Sequence, residues 1–191
     1  MRRRQVLRLA AGVLAAALSI AGVQSGASGV AFADPAVAVR TVYYDASRAG
    51  EFTTNFTQAA AIWNSSVSNV RLVAGTPASV TIYVDNGWPR AYVQGLGRGR
   101  VYMGWQAVNQ GHDRTRIATH ELGHILGLPD RRTGLCSDLM SGSSAPTSCR
   151  NAYPSAAEAT QVDALFANGL APAQLTADTA PTGTAHVWSN G

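Results

Sequence analysis

Apolar residues along this chain change their spacing several times, and each change marks a candidate element. Val39 to Tyr44 is rich in β-branched and aromatic residues, which fits a strand. From Glu51 to Trp63 the spacing becomes helical. Phe52, Phe56, Ala59, Ala60 and Trp63 fall at steps of three and four and share one face, and Asn64-Ser65-Ser66 then breaks the pattern. Val70 to Val73 and Val80 to Asp85 alternate apolar and polar, as half-buried strands do. Asn86-Gly87 and the stretch Gly95 to Gly99 are turn signals, and Tyr92 and the run Arg100 to Trp105 predict two further strands.

A second helix is expected from Asp113 or Arg114 to Leu126, capped by Asp113 or Thr115. Gly127 suits its end, because glycine takes the left-handed C′ conformation at little cost, and Pro129 blocks continuation. Residues 131–154 have no period and many Ser, Gly and Pro, so they read as an irregular segment. Ser155 to Asn168 predicts a last helix, with Val162, Leu165 and Phe166 inward and Gly169 as the stop. From Leu170 the chain is rich in Ala, Thr and Pro, and residues 170–191 are expected to be a flexible tail. The order predicts an α+β domain. One twisted mixed sheet carries a long helix, the helix before Gly127, and a C-terminal helix.

The N-terminus changes the picture of size and charge. Arg2, Arg3, Arg4 and Arg8 precede an apolar run from Leu9 to Val23, and small residues lead to Ala31-Phe32-Ala33. That is the build of a secretory signal over residues 1–33; the run is interrupted by Gly12, Ser19 and Gly22 and is short for a membrane span. Arg3-Arg4 also suits a twin-arginine route, so the exporter stays open. Residues 34–39 read as a short pro-segment or flexible start, and residues 40–169 as the folded domain. The net charge of +4 belongs to the signal. Four of the 15 basic residues lie in it with no acidic residue, which leaves 11 basic against 11 acidic side chains. A mature chain so nearly neutral gives no reason to expect nucleic acid, and none to expect a membrane once the signal is cut. We expect a secreted, extracellular monomer. In an oxidising space the even pair Cys136 and Cys149 favours a disulfide.

The candidate chemistry lies in His120-Glu121-Leu122-Gly123-His124-Ile125-Leu126-Gly127-Leu128-Pro129-Asp130. Histidines four apart share a helix face and can grip one ion without bending the backbone. Zinc favours four ligands and, in catalytic sites, keeps one position for water. Asp130, past the glycine corner, is the best third ligand. Glu121 projects to one side of the two imidazoles, where a carboxylate can take a proton from water and return it to a leaving amine. No Gly-x-Ser-x-Gly string is present, and both cysteines have a better use. His112 and His186 lack ligand spacing to the string and are expected to be solvated.

These residues resemble the metzincin proteases and, among them, the snapalysin family of small secreted bacterial neutral metalloproteases. The likeness covers about residues 38–169. It includes Ala60-Ala61-Ile62-Trp63-Asn64-Ser65-Ser66-Val67, the zinc string with Asp130 in place of a third His, both cysteines and Asn151-Ala152-Tyr153-Pro154. It implies a metzincin-like zincin domain, with Met140 in Leu139-Met140-Ser141-Gly142 as a methionine turn under the metal. It implies a zinc endopeptidase acting on proteins or peptides, with a preference for an aromatic residue just after the cut. It also implies calcium beside the start of the zinc helix, at Asp113 and Thr115, for which helix capping is the plain alternative. In such folds the sheet edge beside the cleft pairs with substrate, and Tyr102 or Met103 belongs either to that edge or to an ordinary strand. Family members often carry a tyrosine two residues past the aspartate, where this chain has Arg132. Its cation is a candidate oxyanion or substrate contact. If it fails in that role, the alternative is a catalytically impaired zinc-binding module acting through a partner.

Overall fold

The computed structural model describes residues 38–167 and 184–188. The expected signal, most of the expected pro-segment and residues 170–183 and 189–191 of the expected tail lie outside them. β1 (Arg40–Arg48) leads through a 3-10 turn at Gly50–Phe52 into α1 (Thr53–Ser66). β2 (Val70–Ala74), β3 (Val80–Asp85), β4 (Arg90–Gly95) and β5 (Arg98–Gly104) follow. Then come α2 (Trp105–Asn109), α3 (Arg114–Ile125), a 3-10 segment at Leu139–Ser144, α4 (Ala156–Ala167) and β6 (Thr184–Val187).

The six strands form one sheet in the order β2-β1-β3-β5-β4-β6. β1, β2, β3 and β5 pair in parallel, while β4 runs antiparallel to both its neighbours. Alternation sorts the faces. Val42, Tyr44, Val80, Ile82, Ala91, Val101 and Met103 are buried, while Tyr43 between two of them is exposed. α1 packs on β1 and β2, α3 packs on β4 and β5, and the two helices pack on each other. The apolar face of α1 is the one its spacing predicts: Phe56, Ala59, Ala60 and Trp63 are buried, with Phe52 just ahead of them. Trp63 ties the helices together by donating its indole N–H to Thr119 O at 2.8 Å.

Four expectations need correction. The strand through Arg100 ends at Gly104, and Trp105 starts α2 instead; its ring packs edge-on against Phe52 at 4.8 Å. β5 lies inside the sheet, so neither Tyr102 nor Met103 forms an edge; Met103 is core. Leu165 is 38% exposed, because the inward face of α4 is set by Glu158, Val162 and Phe166. The tail is structured at residues 184–188, where β6 supplies backbone partners for the outer edge of β4 and Trp188 is fully buried.

Candidate metal centre

α3 starts where its cap predicts. Asp113 has extended backbone angles and its carboxylate accepts from Arg116 N at 2.8 Å. Gly127 at φ +96° turns the chain out of the helix, donating to His124 O at 2.9 Å. A Cβ there would also lie 2.8 Å from Leu165 Cδ1. The exit loop then brings Asp130 back to the helix.

His120 and His124 are buried, with their rings edge to face at 4.5 Å. Each has its Nδ1 on a backbone carbonyl: His120 on Leu139 O at 3.0 Å, His124 on Leu128 O at 2.8 Å. A carbonyl only accepts, so the proton sits on Nδ1 and each Nε2 presents a lone pair. Those two Nε2 atoms lie 2.9 Å apart. Asp130 Oδ1 lies 3.2 Å from the first and 3.6 Å from the second, and has no hydrogen-bond donor of its own. Three acceptors turned on one another repel unless a cation lies between them. Nitrogen, nitrogen and carboxylate oxygen form a ligand set zinc accepts, and each imidazole is oriented through its far nitrogen, as ligating histidines are. His120, His124 and Asp130 are the group of this kind found among the described residues.

Charges follow from this crowding. Burial, then His120, hold the His124 imidazole well below its usual pKa. Burial works to raise the Asp130 carboxyl, but the two histidines and Arg132 outweigh it and hold it below the ordinary value. Glu121 is fully buried, and neither carboxylate oxygen has a partner. Burial, then the Asp130 charge, push its pKa well above the usual carboxylate range.

The floor of the site is built by two buried charges that the sequence reading missed. Arg116 donates to Cys136 O, Asn151 O, Asp138 O and Ser141 Oγ at 2.5–3.1 Å. Glu158 accepts from Leu139 N and Met140 N at 3.1 and 2.8 Å, and from Ser155 N and Oγ at 2.7 and 2.9 Å. Ser155-x-x-Glu158 is a capping-box pattern, and that local signal could have found it. Held this way, Leu139 offers its carbonyl to His120 and Met140 packs beside α3. A Cβ on Gly123 would come within 2.8 Å of Met140 Sδ. Arg131 N donates to Met140 O at 2.8 Å, joining the ligand loop to the same floor. Cys136 and Cys149 form the expected disulfide.

Other expected residues fall out differently. Asp113 serves as the cap, and Thr115 Oγ1 is engaged with Asn55 Nδ2 and Gln58 Oε1, each at 3.0 Å, so capping and helix pairing are what their contacts carry. Arg132 takes a positive φ of 46° and reaches Asp130 Oδ2 at 3.5 Å and Val187 O at 3.1 Å. His112 is not solvated as expected, and His186 is so only in part, being half-buried. His112 is 7% exposed and meets the Trp188 ring at 5.6 Å, and His186 stacks on His124 at 4.3 Å. No local pattern marks either, since both depend on where β6 docks.

The mixed sheet, the helix carrying both imidazoles and the methionine segment beneath them define a metzincin-like zincin domain. Its relatives can be stated by comparison. An extracellular small neutral protease of Streptomyces caespitosus is 49% identical over 131 residues, a match that spans 68% of this chain and 98% of that protein. The protein of the same description from Streptomyces sp. (strain C5) is 48% identical over 136 residues, and that from Streptomyces coelicolor is 46% identical over 144. These matches span 70% and 74% of this chain but only 59% and 66% of those proteins. The chain belongs to the Streptomyces extracellular neutral proteinase (M7) family, whose model matches residues 38–169.

Proposed function

We propose that this chain is a secreted zinc-dependent endopeptidase, acting as a monomer on internal bonds of proteins and peptides. The observation that carries the reading is the convergence of His120 Nε2, His124 Nε2 and Asp130 Oδ1, three metal-ligand atoms turned on one point. These residues would hold the zinc. When bound, zinc polarises a peptide carbonyl and makes water acidic enough to be deprotonated near neutral pH.

Everything else is done by the chain. Glu121 accepts the proton of the attacking water on a carboxylate oxygen and passes it to the leaving amine. Its lack of hydrogen bonds keeps both oxygens available. Its raised affinity for a proton suits an acid–base group, and a nearby cation would bring that affinity down toward neutrality. Leu139 O and Leu128 O fix the imidazoles so that the donors need no reorganisation. Arg132 is a substrate contact in this reading; its grip on the Val187 carbonyl supports a role in holding peptide backbone. The preference for an aromatic residue after the cut is supported by the space beside His120 and His112 that takes the whole Trp188 indole. The names of the relatives, all extracellular proteases, support secretion. Among the described residues no helix is long and apolar enough to cross a membrane.

Hydrolysis of casein by purified protein, with and without a chelator, tests this. Activity should vanish with 1,10-phenanthroline and return on adding zinc. Activity indifferent to the chelator would remove the proposal.

A further inference from the structure

Extended substrate for a site of this kind needs a strand to pair with, and β4 is the strand beside α3 whose outer edge faces away from β5. In this chain β6 already holds that edge. It lies beyond the family match, which ends at residue 169. The pairing is antiparallel, from Arg90 opposite Val187 to Val93 opposite Thr184, and Trp188 N extends it by donating to Pro89 O at 2.8 Å. Adding a strand to a sheet edge, with alternate side chains in pockets, is how peptides are recognised by β-augmentation.

Three contacts aim the segment at the metal-binding atoms. The His186 ring lies nearly parallel to that of His124, with centroids 4.3 Å apart and planes 17° from each other. The Trp188 ring meets His120 at 4.5 Å, edge to face. Arg132 Nη2 donates to the carbonyl between them, Val187 O. Trp188 is fully buried, yet its indole N–H finds no partner. Leaving a buried donor unmet costs stability. That is a poor fit for a residue kept only to fill the core, and a better one for a side chain seated in a pocket shaped for others.

We propose that Thr184–Trp188 is a built-in occupant of the substrate groove. It takes the β4 edge, stacks His186 on the ligand-bearing ring of His124, and fills with Trp188 the pocket that an aromatic substrate side chain would enter. Tail and substrate then exclude one another, and the docked form is the inhibited one. This rests on the proteolytic reading above.

The test uses the full secreted chain, its His186→Ala and Trp188→Ala variants, and the free peptide Thr-Ala-His-Val-Trp. Hydrogen exchange by mass spectrometry should show residues 184–188 protected in the parent chain. Protection should fall when the free peptide is added, and should be lost in Trp188→Ala. In both variants KM for a fluorogenic peptide should fall by about tenfold, which corresponds to about 1.4 kcal/mol of competition removed. Unprotected residues 184–188 in the parent chain, or protection that the peptide leaves untouched, would overturn the inference. So would an unchanged KM in both variants. Should Trp188→Ala fail to fold, His186→Ala and the parent chain decide. A chain that cuts nothing, but whose tail is displaced by the peptide, retires the protease and keeps the groove.

Discussion

Glu121 and Glu158 are buried to the same degree, and the protein treats them in opposite ways. Glu158 accepts four hydrogen bonds, two of them from the backbone of the methionine segment. Glu121 accepts none, and the charge that acts on it most strongly is another carboxylate, Asp130. Burial of a charge is tolerable where donors surround it, and Glu158 with Arg116 meets that condition. At Glu121 the condition is not met by the protein alone. The floor region spends its buried polar groups on rigidity, while the mouth keeps lone pairs unsatisfied and turned inward. Unsatisfied acceptors mark where chemistry is done, and satisfied ones mark what holds that place still.

Breaking the contrast at Glu121 should give the largest effect. Glu121→Gln should cut kcat by roughly 10²–10⁴-fold, the usual reach of a general acid–base group, without lowering Tm or zinc content. Turnover close to the parent chain would show that the orphaned carboxylate is idle. At the other glutamate the expectation inverts. Glu158→Ala strands the Leu139 and Met140 amides and removes the largest of the negative charges that favour Arg116, so denaturant unfolding should show a loss of about 3 kcal/mol. A loss below about 1 kcal/mol would mean that water replaces Glu158 freely.

Smaller effects sharpen the picture. Reducing the Cys136–Cys149 bridge should cost roughly 3 kcal/mol or somewhat less by the loop-entropy argument, with lowered turnover as the floor loosens. Unchanged melting and turnover in reductant would separate the bridge from the site. Gly127→Ala should cost about 1–3 kcal/mol, because alanine at positive φ is strained and would press on Leu165. Asp85 pairs with Arg90 at 2.5 Å, and that contact holds the Asp85 carboxyl below its usual pKa. A depressed carboxylate stabilises the fold above its unfolded pKa and loses that contribution as pH falls through the folded one. Asp85→Asn should therefore flatten stability against pH on the acid side of about pH 4, by no more than about 1 kcal/mol for a pair so open to solvent. An unaltered acid limb would assign the contact no energetic role.

What could be read in advance divides along the same line. α1 and α3 were legible because their apolar spacing is local and long, and the ligand string fits within one helix and its exit. Met140 was legible only through family likeness. Arg116 and Glu158 were not, since a charged residue in a helix ordinarily faces solvent, and their partners lie up to 35 residues away. Five residues at 184–188 carry too short a pattern to announce a strand. Their structure depends on the edge of β4, which is far off in the chain. For the same reason His186 looked like a tail histidine and His112 like a loop one.

The central claim is that His120, His124 and Asp130 together hold one divalent cation. Zinc content of the purified secreted chain, measured by inductively coupled plasma mass spectrometry beside His124→Ala and Asp130→Ala, tests it most directly. The account predicts one zinc per parent chain and a sharp loss in both variants. A parent chain without zinc, or variants that retain it in full, would contradict it.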